Sequence, residues 1–166
     1  MRTVSNASPL IFLAKCDGLR LIGDLFGADV LVPELVRDEV LASPVTSVER
    51  RSLERFLASC RVVPDRPTSD CATALSAADN AVVALARTED VGIVLADDLL
   101  LRELVAAEGR PVIGTLGVLI RAVDCQVLPA ARARASVDAL VSAHGFRISV
   151  ALYARVLAEL ADRGGP

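Results

Sequence analysis

Two aspartates, Asp97 and Asp98, stand side by side in "VGIVLADDLLLREL", directly behind an apolar run that reads as a buried strand. Adjacent like charges at a strand end need a compensating partner: a helix N-terminus, a cation, or one of each. Two further acids fall on faces that helical spacing makes apolar. In "SAADNAVVALA", Asp79 shares a stripe with Val82, Val83 and Ala86, at i+3, i+4 and i+7. A charge in a buried stripe is costly unless something compensates it. The alternative is a first-turn acid favoured by the helix dipole, with Ser76 as cap. In "PELVRDEVLA", Glu39 lies i+4 from Leu35 and i+3 from Val36, on the inward face, while Glu34, Arg37 and Asp38 project outward. A helix whose last turn is simply charged is the alternative there. Asn6 closes a short first strand and Asp97 closes a later one, and in open parallel sheets ligands bind at the carboxyl ends of the strands. Asn6, Glu39, Asp79 and Asp97 thus form one candidate constellation. Oxygen donors without histidine or thiolate suit Mg²⁺ or Mn²⁺. Without a metal, the three carboxylates would repel and raise one another's pKa; a cation reverses that sign.

The elements that must position these groups follow from periodicity and from capping residues. Short strands are expected at 2–6, 28–33, 61–63, 92–96 and 111–113. Helical spacing covers 19–26, 33–42, 48–59, 76–89, 98–108, 114–124, 132–143 and 149–162. In "ASPLIFLAKC", Ser8 can cap a further helix with Pro9 in its first turn, and Ser149 can cap the last one. "PDRPTSDCAT" (64–73) has the prolines and polar residues of a loop. Strands alternating with helices predict βαβ units around a parallel sheet.

Bulk properties narrow the function classes. With 166 residues the chain is expected to be a single domain, its core over about 1–125 and a helical extension over about 130–163. Mean hydropathy is +0.49, yet no uncharged apolar run approaches the roughly 18 residues of a membrane span. Only 3% of residues are aromatic, so stacking platforms for single strands are not expected. A net charge of −3 argues against a broad electrostatic grip on a polyanion. Lys15 is the only lysine among the basic residues, and arginine forks suit phosphate. Scattered cysteines (16, 60, 71 and 125) and a single histidine, His144, argue against a zinc site. The start of the sequence lacks a basic leader with a cleavage site, so a cytoplasmic protein with reduced thiols is expected.

The segments "VSNASPLIFLAK", "DD…R", "GTLGVL" and a late "GFRIS", in this order, resemble the PIN domain. That nuclease fold includes the VapC-type toxins of prokaryotic toxin–antitoxin pairs. The likeness is greatest to a PIN branch of unknown function and runs over roughly residues 3–160. Each motif is short; their order and spacing carry the resemblance. It implies a three-layer α/β fold, a central parallel sheet flanked by helices, followed by two C-terminal helices. It also implies four acidic positions holding one or two divalent ions for phosphodiester hydrolysis. Asn6 matches the first position, Glu39 the second, Asp79 the third and Asp97 the fourth. Asp98 resembles an accessory acid beside the fourth, and Ser8 the small hydroxyl residue that supports the first. Two positions depart from the pattern: Asn stands where Asp is commoner, and "SAAD" where this branch has "GxGE". An amide still offers an oxygen but removes a charge, so metal affinity should fall.

The implied activity is metal-dependent cleavage of RNA, with a cognate antitoxin and a homodimer as expected partners. The second reading is a catalytically weak PIN-fold module that binds protein or nucleic acid. A third is a phosphate-binding α/β protein with its site at "GTLG". In that motif Thr115 and two glycines open a helix, which could hold phosphate on free N–H groups or merely pack closely on the preceding strand. Arg102, four residues after Asp98, could pair with that acid or meet the scissile phosphate. Asp98 itself could cap its helix, hold a metal-bound water or pair with Arg102. His144 is expected to serve a helix C-terminus or packing rather than catalysis.

Overall fold

In the structure, a computed structural model, residues 1–65, 74–88 and 90–163 are described. Short apolar strands alternate with amphipathic helices as the periodicity predicts. The order is β1 (Thr3–Ser5), α1 (Ala7–Lys15), α2 (Arg20–Phe26), β2 (Val30–Pro33), α3 (Glu34–Ala42), α4 (Ser47–Ser59) and β3 (Arg61–Val63). After the segment 66–73 come α5 (Ala77–Thr88), β4 (Ile93–Leu95), α6 (Leu99–Ala107), β5 (Val112–Ile113), α7 (Thr115–Asp124), α8 (Ala130–Ser142) and α9 (Val150–Arg163). The expected loop at 64–73 lies outside the described residues except for Pro64 and Asp65.

The five strands form one parallel sheet in the order β3-β2-β1-β4-β5. Chain order reverses at β1, whose neighbours are β2 (Thr3 opposite Val30) and β4 (Ser5 opposite Leu95). The carboxyl ends of β1 and β4 therefore lie side by side at the switch point, where such sheets open a crevice. Val4, Leu31 and Val94 on the central strands are fully buried, as are Leu10, Leu101 and Leu119 on flanking helices. Helix α5 packs on β1, β2 and α3, while α7 packs on α1 and on the terminal helices α8 and α9. Among the described residues, no helix is long and apolar enough to cross a membrane.

Capping residues fix where the helices begin. Thr46 and Glu49 form a reciprocal capping box that starts α4 one residue before the predicted position. Asp98 caps α6 by accepting from the Leu101 N–H at 2.9 Å, and Ser149 caps α9 through the Leu152 N–H at 3.1 Å. Ser76 accepts from the Asp79 N–H at 3.0 Å, as expected for the start of α5. Ser8 does not cap α1. That helix begins at Ala7, so the cap position belongs to Asn6, and Ser8 lies within the first turn. The reason is the backbone: Asn6 ends β1 with extended φ and ψ, and the chain turns helical straight after it.

Candidate functional site

Asn6 occupies a position where asparagine ordinarily bonds the next free backbone N–H, yet it makes no side-chain cap bond. Its amide is turned the other way. Nδ2 donates to Asp79 Oδ1 at 3.1 Å, across 73 residues of sequence. The residue is only 4% exposed, and its Oδ1 is buried without a hydrogen-bond partner. A buried, unpaired amide oxygen is costly in a folded protein unless a donor or a cation meets it.

Asp79 holds this arrangement from the first turn of α5. Its Oδ2 accepts from Ser76 Oγ at 2.9 Å, so both carboxylate oxygens are oriented by neutral donors. The apolar stripe predicted beside it is present: Val82, Val83 and Ala86 are buried. Asp79 is half-buried at the edge of that stripe.

Glu39 departs from expectation. Val36 and Val40 carry the buried face of α3, while Leu35 is 39% exposed and Glu39 is exposed beside it. The inward face is therefore set by i and i+4 from Val36, and Glu39 stands at its margin, where α3 packs on α5. Partial burial, and then the negative charge of Asp79, push the Glu39 carboxyl above its ordinary value. Asn6, Asp79 and Glu39 thus belong to one neighbourhood.

Asp97 lies at the adjoining strand end. The Asn6 N–H donates to Leu95 O at 3.0 Å, which ties the end of β1 to the residues just before Asp97. The carboxylate of Asp97 is clamped by Thr115: the Thr115 N–H meets Oδ1 at 2.7 Å and Oγ meets Oδ2 at 2.6 Å. Burial pushes the Asp97 pKa up, and these two bonds and the Arg102 charge oppose the shift. The "GTLG" helix start therefore already holds an anion, the carboxylate of Asp97, on the N–H that a phosphate would have used. The glycines do pack closely, as the alternative reading had it. A Cβ on Gly117 would come within 2.4 Å of the Ile113 side chain.

A Cβ on Gly114 would lie 2.7 Å from Asp97 Oδ1 and 3.3 Å from Ala96 O. Gly114→Ala should therefore force the clamp apart and destabilise the fold by about 1–3 kcal/mol, read from urea unfolding midpoints. An unchanged midpoint would show that Asp97 is not held this way.

The two adjacent aspartates separate in role. Asp97 faces Thr115, and Asp98 is exposed and caps α6. Among the described residues Asp98 forms no ion pair with Arg102; only the backbone link from the Arg102 N–H to Asp98 O, at 3.0 Å, joins them. The Arg102 side chain is exposed and acts on Asp97 instead. Ser8, in the first turn of α1, lines the groove that opens beside Asp97. His144 follows the end of α8, away from the acids, near Glu49, whose carboxyl is held below its ordinary value against its burial by the Thr46 bonds and Lys15 and, least, by His144. Cys16 and Cys60 have thiols that burial pushes up to about 11, so neither offers a thiolate at neutral pH.

Among the described residues, no three carboxylate, thiol or imidazole groups gather into a single cluster. The polar groups stand in two neighbouring sets: Asn6 at the end of β1 with Asp79 of α5 and Glu39 of α3, and Asp97 after β4 with Thr115 of α7. Sequence reasoning missed how these sets are pinned. An asparagine at a strand end followed at once by a helix was the available signal, since its capping role could be given up for a contact elsewhere.

No curated protein and no solved structure matches the chain. The model of a PIN-domain family matches residues 2–162. That span takes in the whole parallel sheet and every acid described above, and the chain belongs to the PIN-domain family, a nuclease-type fold.

Proposed function

We propose that this chain is a divalent-cation-dependent ribonuclease, the toxin of a VapBC-like toxin–antitoxin pair. The observation that carries the reading is Asn6, diverted from its helix to Asp79 and left with a buried, unpartnered Oδ1. Such a group suits a cation bound by oxygens: Asp79, Asp97 and Glu39 would be its charged donors and Asn6 the neutral one, and because no three of the acids form one cluster, binding would have to draw the two sets together. PIN domains generally use divalent metals, and the all-oxygen donor set suits Mg²⁺ or Mn²⁺. Each oxygen of Asp79 and Asp97 that accepts one hydrogen bond keeps further lone-pair capacity. When bound, the cation supplies charge neutralisation at the phosphate and activation of the attacking water. The chain's own groups do the positioning. Thr115 fixes the plane of the Asp97 carboxylate, while Ser76 and Asn6 fix that of Asp79. Asp98 is occupied with its helix, and Arg102 lines the groove together with Asp97, where its guanidinium could meet a phosphate.

A specific observation also favours the second reading, a catalytically weak binding module. Both oxygens of Asp79 and of Asp97 already have neutral donors, so the site stands without a cation. Purified protein incubated with RNA and Mn²⁺, with an EDTA control, separates the two. Metal-dependent cleavage supports the ribonuclease, and its absence alongside a co-purifying protein partner supports the module.

Protons and cation should compete. Burial holds the Glu39 and Asp97 carboxyls above their ordinary values, so each keeps its proton to a higher pH than a free acid. Without cation, each contributes stability below the ordinary carboxylate range and loses it as pH rises through its raised value. A bound cation stabilises the charged forms, so its benefit grows over the same rise. Saturating Mn²⁺ should raise Tm by about 5–10 °C at pH 7.5 and by clearly less at pH 5, in thermal melts. Equal shifts at both values would mean that the ion binds elsewhere.

A further inference from the structure

Asn6 is held so that only its amide can move. Its N–H donates to Leu95 O at 3.0 Å, and its carbonyl accepts from Ser5 Oγ at 2.9 Å. The backbone is thus tied to β4 on one side and to its own neighbour on the other. The partner of the amide is fixed as well. The Asp79 N–H donates to Ser76 Oγ at 3.0 Å, and the same hydroxyl donates to Asp79 Oδ2 at 2.9 Å. Asp79 Oδ1 is left to Asn6 Nδ2, its one donor among the described residues. The motion that remains is rotation of the Asn6 amide about its Cβ–Cγ bond, which exchanges Oδ1 and Nδ2.

The two orientations differ at one end alone. In the present one Nδ2 meets Asp79, and Oδ1 lies buried without a partner among the described residues. In the turned one an NH₂ would lie where that oxygen lies now, so one buried polar atom goes unpartnered either way. The choice is therefore made at Asp79. Beside a bare carboxylate an N–H is attracted and an amide oxygen repelled, which favours the orientation seen. Beside a carboxylate carrying a cation the preference reverses, because the N–H is repelled and the oxygen becomes a ligand. The spacing accommodates the exchange without moving the chain. Oδ1 would take the place of Nδ2, 3.1 Å from Asp79 Oδ1. Neighbouring oxygens around an octahedral Mg²⁺, each about 2.0–2.1 Å from the ion, stand roughly 3 Å apart. An aspartate has two like oxygens and nothing to exchange, so the property belongs to the amide.

We propose that Asn6 is a two-position residue: in the empty site its N–H stands in for the cation at Asp79, and on loading its amide turns and presents the oxygen. The inference rests on the cation reading above and concerns how the site passes between its two states. An arriving ion must displace an N–H, so the site keeps its shape when empty and fills at a higher cation concentration than an aspartate would require. The chain has two asparagines, Asn6 and Asn80, so protein labelled with nitrogen-15 asparagine shows two side-chain NH₂ pairs in its NMR spectrum. Asn6→Asp, which lacks one pair, assigns them. Asn80, which donates to Leu75 O and Ser76 O, serves as the internal reference. In EDTA one Asn6 proton should lie downfield, as a donor to a carboxylate does. Diamagnetic Mg²⁺ should move it upfield to the position of an unbonded amide, while the Asn80 pair moves far less. Uniformly labelled protein should show the Asp79 backbone signal shifting with the same midpoint, and Asn6→Asp should half-saturate at about tenfold lower Mg²⁺. Absence of the downfield proton in EDTA overturns the proposal. So does an Asn6 pair that holds its place while the Asp79 signal responds, in which case the cation reading survives without the turn. If no signal responds to Mg²⁺, or broadens with Mn²⁺, the cation site fails and takes the turn with it. A midpoint for Asn6→Asp at or above that of the wild type sinks the stand-in role of the N–H.

Discussion

Asp97→Ala should abolish Mn²⁺-dependent RNA cleavage, with a loss of at least about a hundredfold in kcat/KM. Asp97 is the only one of the four candidate donors that closes a strand at the switch point and is locked by a helix start. The alanine also has a structural cost. Thr115 is fully buried, and its N–H and hydroxyl would lose their acceptor, a loss of about 1–3 kcal/mol. Loss of activity alone is therefore ambiguous, and Asp97→Asn resolves it. The amide keeps one oxygen for Thr115 and sheds a charge that burial disfavours. This variant should melt within a few degrees of the wild type and still fail to cleave. Full cleavage by either variant would remove Asp97 from the site.

Asn6→Asp carries the second large effect, and its sign depends on the cation. In EDTA at pH 7.5 it replaces the N–H that Asp79 accepts with a second negative oxygen about as close as the present 3.1 Å contact. Two carboxylates at that separation in a buried site do not both ionise freely, and the repulsion is worth several kcal/mol. The variant should be less stable than the wild type in EDTA and recover as pH falls, when the pair can share a proton. With Mn²⁺ the same added charge becomes a ligand, so the ion should bind more tightly, by about tenfold or more. Melts with and without Mn²⁺ would reveal the crossing. A variant neutral in EDTA and no more responsive to Mn²⁺ would mean that Asn6 neither faces Asp79 nor offers its oxygen to an ion.

These variants probe what the sequence concealed. Strand and helix positions were legible because burial imposes a period, and the Val82–Val83–Ala86 stripe lies where spacing put it. Helix starts were legible where the capping residue behaves locally, as at Ser76, Asp98 and Ser149. The start of α4 is also written in the sequence, in the capping-box spacing of Thr46 and Glu49. Ser8 is not the cap because α1 begins two residues earlier than its hydroxyl suggests, and the Asn6 amide at the cap position answers to Asp79 on another element, a contact no local rule can see. Glu39 was put on the buried face because the turn was phased on Leu35, which proves largely exposed. The pairing of Asp97 with Thr115 spans 18 residues and depends on β5 delivering α7 beside β4, a tertiary fact. The residue types were readable as chemistry; their grouping into two sets was not.

The place of β1 in the sheet also sets a timetable. Its two partners lie 27 residues (3 to 30) and 90 residues (3 to 93) further along the chain. Pairing with β2 closes a short loop, but pairing with β4 must wait until a far longer stretch has been made and gathered in. Until then one edge of β1 offers unpaired N–H and C=O groups to whatever passes. Closing the longer loop costs about 1 kcal/mol more in chain entropy than closing the shorter one, so the β4 side of the crevice is the dearer of the two to assemble. A chain made only as far as α5 thus carries Asn6, Glu39 and Asp79 without the strand that sets Asp97 beside them.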